Sequence, residues 1–111
     1  MKHVLNLHPE PFEKIKSGLK TIEMRLNDER RRNIKVGDQI EFINRLTNET
    51  LLVDVLELTP FKSFDELYAH YDKADLGYEK DEVASPDDMA KYYSIEQREK
   101  YGALAIKIRR K

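Results

Sequence analysis

A helix that ends on a glycine directly before an alternating strand constrains this chain most. Pro11-Phe12-Glu13-Lys14-Ile15-Lys16 places Phe12 and Ile15 three apart on one face, and Gly18 is free to take the left-handed conformation that closes a helix. From Lys20 the pattern switches to period two, with Ile22, Met24 and Leu26 on one face and Thr21, Glu23 and Arg25 on the other. Three polar side chains, two of opposite charge, opposite a wholly apolar face predict the floor of a polar pocket.

The remaining elements follow from similar punctuation. His3 to Leu7 reads as a first strand, broken by His8-Pro9-Glu10-Pro11, because proline is tolerated in a helix's first turn. Val36-Gly37-Asp38 turns into a strand over Gln39 to Asn44, and Leu46-Thr47-Asn48-Glu49 is a hairpin turn into a long strand from Thr50 to Leu58. Ser63 with Glu66, and Ser94 with Gln97, have the spacing of capping boxes, and Ser85-Pro86 is a further helix start. Between them, 72–84 is an irregular excursion. Ala103 to Arg109 closes the chain as a strand carrying Leu104, Ile106 and Ile108 inward. The predicted class is α+β: one domain over 1–111, a small mixed β-barrel of five to six strands with flanking helices and a helical insertion before the last strand. Its core is expected to hold Leu5, Leu7, Ile22, Met24, Ile40, Phe42, Val53, Val55, Leu104, Ile106 and Ile108.

Composition removes several classes of function. With no cysteine there is neither a disulfide nor a thiolate metal site. His3, His8 and His70 lack metal-ligand spacing, so neither metal nor other cofactor is expected. No apolar run approaches a membrane span, and the polar amino terminus does not read as a secretory signal, so a cytoplasmic protein without a membrane partner is expected. The 20 basic and 21 acidic residues nearly cancel, which argues against a binder that relies on a uniformly basic surface. Basic residues nevertheless cluster at Arg30-Arg31-Arg32 with Lys35, and from Lys107 to Lys111, while acidic ones concentrate between Asp65 and Asp88.

Leu7-His8-Pro9-Glu10-Pro11-Phe12, Ile15, Gly18, Lys20-Thr21, Glu23 and Arg25, then Val36-Gly37-Asp38 and the closing Tyr101-Gly102-Ala103-Leu104-Ala105-Ile106, resemble the signature of the ASCH domain family along essentially the whole chain. The resemblance implies a PUA-like barrel and a cleft, lined by the Gly-x-Lys-x-x-Glu-x-Arg segment, that receives RNA, a nucleoside or a nucleotide. Some small bacterial members of that family hydrolyse acetylated cytidine, and others are described as ribonucleases. The hydrolase pattern resembles Lys-Thr-x-Thr; here Glu23 stands at the second threonine. The expectation is therefore a binding protein, with a metal-independent hydrolase on a modified nucleoside or RNA as the alternative and a protein-interaction module as the third reading.

Candidate ligand-binding residues are Lys20, Thr21, Glu23, Arg25, His8 and Tyr78, the last set beside Gly77 where a base can stack on it. For an enzyme, Lys20 and Glu23 are the working pair, with Asp75 or Glu79 of the excursion as a further acid. An ideal strand would send Lys20 and Glu23 to opposite faces, so the pair requires irregular backbone near Gly18-Leu19. Tyr68, Tyr71, Tyr92 and Tyr93 read as core rather than as stacking platforms.

Overall fold

The computed structural model describes residues 1–111. Five strands, β1 (Lys2–Leu7), β2 (Ile22–Leu26), β3 (Gln39–Asn44), β4 (Thr50–Phe61) and β5 (Ala103–Arg110), form one sheet in the order β1-β3-β4-β5-β2. It is the α+β architecture expected, a curled half-barrel with flanking helices. β1 runs parallel to β3, and every other neighbouring pair is antiparallel. β4 is longer than its apolar run suggests. A register shift between Val55 and Glu57 bends it; Thr50 to Asp54 pair with β3, and Val53 to Phe61 pair with β5. The sheet curls until its two edge strands, β1 and β2, face one another without a shared ladder.

Three helices fill the connections: α1 (Pro9–Lys16), α2 (Phe64–His70) and α3 (Ile95–Tyr101). α1 buries Phe12 and Ile15 and stops at Gly18, whose φ is +88°. At α3 both halves of the capping box form, between Ser94 and Gln97. At α2 only the serine half forms, because the Glu66 carboxylate accepts the Lys62 amide instead. The predicted helix at Ser85-Pro86 is a 3-10 turn over Pro86–Lys91. No helix is long and apolar enough to cross a membrane.

All the expected core residues are buried, but they divide between two cores. The first fills the half-barrel: Leu5 and Leu7 from β1, Ile40 and Phe42 from β3, Val53 and Val55 from β4, and Leu104, Ile106 and Ile108 from β5, sealed by Phe12 and Ile15. The second lies on the other side of β2 and β5, where Ile22, Met24 and Leu26 with Ala103 and Ala105 meet Phe64, Leu67, Leu76 and Met89. The single-core expectation placed Ile22 and Met24 with Leu104 and Ile106, and it is corrected by register. Glu23 stands opposite Ile106 and Arg25 opposite Leu104, so the polar face of β2 looks into the barrel. Its apolar face instead serves the helical layer, with Ala105 and Ala103 of β5 standing opposite Met24 and Leu26.

Candidate functional site

β2 begins at Ile22 rather than Lys20. The Thr21 and Ile22 amides both donate to the Asp75 carbonyl, and the Lys20 amide donates to the Lys14 carbonyl, so these donors turn away from β5, to which the Thr21 carbonyl is still joined through the Ile108 amide. That release turns Lys20 inward. Its Nζ lies 3.2 Å from the Leu76 carbonyl and 3.4 Å from Glu23 Oε1. Gly77, at φ +100°, lies flat against the lysine stem; a Cβ there would stand 3.1 Å from Lys20 Cδ.

Lys20, Glu23 and Arg25 form a buried charge cluster, exposed by 6%, 3% and 8% respectively. Glu23 Oε1 also accepts the Met24 amide at 3.1 Å, and Oε2 accepts Arg25 Nε at 2.9 Å. Arg25 Nη2 donates across the seam to the Asn6 carbonyl of β1 at 3.0 Å, and the guanidinium lies 6.0 Å from the Phe42 ring centre. Burial pushes the Lys20 ammonium below the usual lysine range, and the attraction of Glu23 does not fully offset this. Burial would raise the Glu23 carboxyl, but Arg25 and then Lys20 outweigh it and hold the acid below its usual range. Burial therefore sets the direction for Lys20, and the two neighbouring cations set it for Glu23.

Above this floor opens a cavity of about 550 Å³ between β1, β2 and the excursion. Seven cationic side chains line it against four anionic ones, although the whole chain carries −1. Arg30, Arg31 and Arg45 bring positive charge from two loops, and Arg31 is tied to Asp28 at 2.7 Å. No group of three or more His, Asp or Glu side chains is placed to hold a metal ion.

The cavity gathers some of the sequence candidates and leaves others outside. Lys20, Glu23, Arg25, His8 and Tyr78 line it. Thr21 does not; it donates to Asp75 Oδ1 at 3.4 Å and borders, with Gly18, Lys20 and Arg110, a separate cleft of about 310 Å³. Asp75 and Glu79 both lie outside the lining, and the acids that enter the cavity from this side are Glu82 of the excursion and Asp88 of the 3-10 turn after it. Tyr78 is not a free ring. Its hydroxyl donates to Asp88 at 2.7 Å and sits 2.8 Å from the Tyr68 hydroxyl; burial, followed by these two partners, pushes its titration well above the tyrosine range.

Of the four tyrosines read as core, Tyr68, Tyr71 and Tyr93 do pack against the second core, and three of the four are also cavity walls. Tyr68, Tyr92 and Tyr93 line the cavity, whereas Tyr71 packs against Phe61 and His70. Tyr92 is 40% exposed, with its ring centre 4.9 Å from that of His8. The signal was available: Tyr92 and Tyr93 are adjacent and lie immediately before the Ser94 cap, where neighbours cannot both face one core.

The ASCH domain model matches residues 5–111. The chain belongs to the ASCH domain family. ASCH domains are PUA-like and generally RNA-binding. Among solved structures, this ASCH domain is similar to hypothetical protein PH0355, with a TM-score of 0.84 at 34% identity over 100% of both chains. It is similar too to protein PF0455 from Pyrococcus furiosus, with a TM-score of 0.70 at 34% identity, covering 99% of this chain and 97% of that one. The ASCH protein from Zymomonas mobilis shares the fold at 19% identity, with a TM-score of 0.64 over 97% of this chain and 66% of its own. No curated protein matches this chain by sequence.

Proposed function

We propose that this ASCH domain binds RNA through a nucleotide held in the cavity between β1 and β2. The observation that carries the reading is the cavity itself: about 550 Å³, positive on a chain that is net negative, floored by Lys20, Glu23 and Arg25 and walled by tyrosines. Guanidiniums suit phosphate and base edges, and exposed aromatic faces suit unstacked bases. The even overall charge favours a short single strand or a single nucleotide over a long duplex.

Titrating short single-stranded RNAs into the protein, followed by fluorescence anisotropy, tests this. Arg25→Ala is expected to weaken binding by about 1–3 kcal/mol, the range for losing a charge-assisted contact. Unchanged affinity in a variant that keeps its circular dichroism spectrum removes Arg25 from the site. Binding is also expected to fall only shallowly with salt, since few phosphates meet so small a positive surface.

One observation favours a second reading as a metal-independent hydrolase on a modified nucleoside or RNA: Lys20 Nζ and Glu23 Oε1 share one buried pocket at 3.4 Å. Glu23, held ionised, would accept a proton from water or a ribose hydroxyl, and Lys20 would stabilise the developing negative charge. Both Glu23 oxygens are already engaged by cations and an amide, which weakens that carboxylate as a base and ranks binding first. Incubation with acetylated cytidine and with short RNAs separates the two readings. Turnover that disappears in both Lys20→Ala and Glu23→Gln establishes the hydrolase.

A further inference from the structure

Around Lys20, Glu23 and Arg25 the acceptors of the cavity floor are already taken. Glu23 is engaged at both oxygens, the Asn6 carbonyl receives Arg25, and the Leu76 carbonyl receives Lys20. Arg25 keeps its Nη1 group without a protein hydrogen bond, and Arg31 Nε is buried at the cavity wall with no partner at all. Tyr93 lines the same cavity as both guanidiniums. Two buried cations against one carboxylate leave a positive charge unmatched inside the barrel.

A floor with its acceptors taken selects its ligand. The pairing edge of each common nucleobase presents at least one N–H donor beside its acceptors, so a base pressed against this floor would leave a donor facing a donor. A fully ionised phosphate presents only acceptors and matches guanidinium donors. A terminal phosphate monoester also brings three free oxygens and up to two charges to these donors, against two oxygens and one charge for an internal diester. Beside them the half-exposed Tyr92, with His8, offers an aromatic face.

Resting on the reading of the cavity as a nucleotide site, we infer that its deep end is an anion site for the terminal phosphate monoester of a nucleotide or RNA end. Arg25, Lys20 and Arg31 hold the phosphate, and the base stacks at Tyr92. The polarity of the bound nucleotide is thereby set, phosphate inward and base outward.

The test compares one short RNA in three forms, 5′-phosphorylated, 3′-phosphorylated and hydroxyl-ended, with the matching mononucleotide and nucleoside as competitors and inorganic phosphate as a further competitor. The expected result is about tenfold tighter binding by a phosphorylated form than by the hydroxyl form, equivalent to one charge-assisted contact. The mononucleotide, and not the nucleoside, displaces it, and inorganic phosphate competes. Whether the mononucleotide or the RNA end binds more tightly tells which of the two is the source of the phosphate. Arg31→Lys, which keeps the charge but loses the orphaned Nε–H, and Arg25→Gln are each expected to bring the preference down to about twofold. If Arg25→Gln does not fold, Arg31→Lys decides alone. A ratio near one with both RNAs bound overturns the anion site and leaves the RNA reading standing. Absence of binding by every RNA and nucleotide overturns both. A preference that survives the substitutions places the phosphate elsewhere and overturns the assignment.

Discussion

β2 is buried on both faces, and the two faces are held by different physics. The Ile22, Met24 and Leu26 face packs on the helical layer through apolar area alone, against alanines on β5 and Phe64 and Leu67 on α2. The Glu23 and Arg25 face sits inside the barrel and stays in place through ion pairs and directed hydrogen bonds. An apolar face loses stability roughly in proportion to the atoms removed. A charged one depends on which partner is removed, because the partner left behind stays buried. The contrast shows where this fold concentrates the means to bind a polar ligand: in the interior, at the seam the sheet leaves open.

The largest effect should come from the charged face. Glu23→Ala leaves Lys20 and Arg25 facing each other without a counter-ion and is expected to lower unfolding free energy by about 3–5 kcal/mol in urea titrations. Lys20→Met leaves Glu23 still paired with Arg25 and lifts a desolvated cation, so it should stay within about 1 kcal/mol of wild type. Equal losses for the two would break the asymmetry on which the comparison rests. On the apolar face, Leu67→Ala is expected to cost about 2–5 kcal/mol, and a loss under about 1 kcal/mol would show that the helical layer contributes little.

Smaller effects sharpen the same contrast. Gly77→Ala places a side chain at positive φ and against the Lys20 stem, and should cost about 1–2 kcal/mol while displacing the ammonium from Glu23. A variant as stable as wild type that also binds RNA as well would dissociate Gly77 from the placement of Lys20. The smallest effect is expected at the far end of β1. There His3 Nε2, the Lys35 amide and the amino terminus hold the Asp38 carboxyl down at about 2. A carboxyl depressed by folding contributes stability that is complete above the ordinary aspartate range and lost as pH falls through about 2. Asp38→Asn should therefore flatten the acid limb of the stability profile, its small loss appearing at neutral pH and vanishing below about pH 2.

The fold was legible wherever one residue decides local geometry. Gly18 and Gly102 mark helix ends, Ser94 with Gln97 marks a start, and alternation marks β3 and β5. The residues Lys20, Glu23 and Arg25 were legible as a group because a polar face opposite an apolar one is visible in sequence. Which way each face looks was not. Period two states that two faces exist, and only the pairing with β5, fixed by contacts distant in sequence, says that the barrel lies on the charged side. The same limit hid Tyr92, and it hid the exchange of Asp75 and Glu79 for Glu82 and Asp88, because neither the excursion nor the short 3-10 turn after it has a period to read.

β1 and β2 meet through a guanidinium rather than through a ladder of amides. The protection that a closed barrel gives its backbone protons is therefore missing along this line. Amides at the rims of β1 and β2 should exchange with deuterium sooner than those of β3, β4 and the middle of β5. Arg25 is at once the fastener of the two rims and the group offered to whatever enters between them. Occupancy of the cavity should consequently be legible as a change in the exchange of protons that no ligand touches.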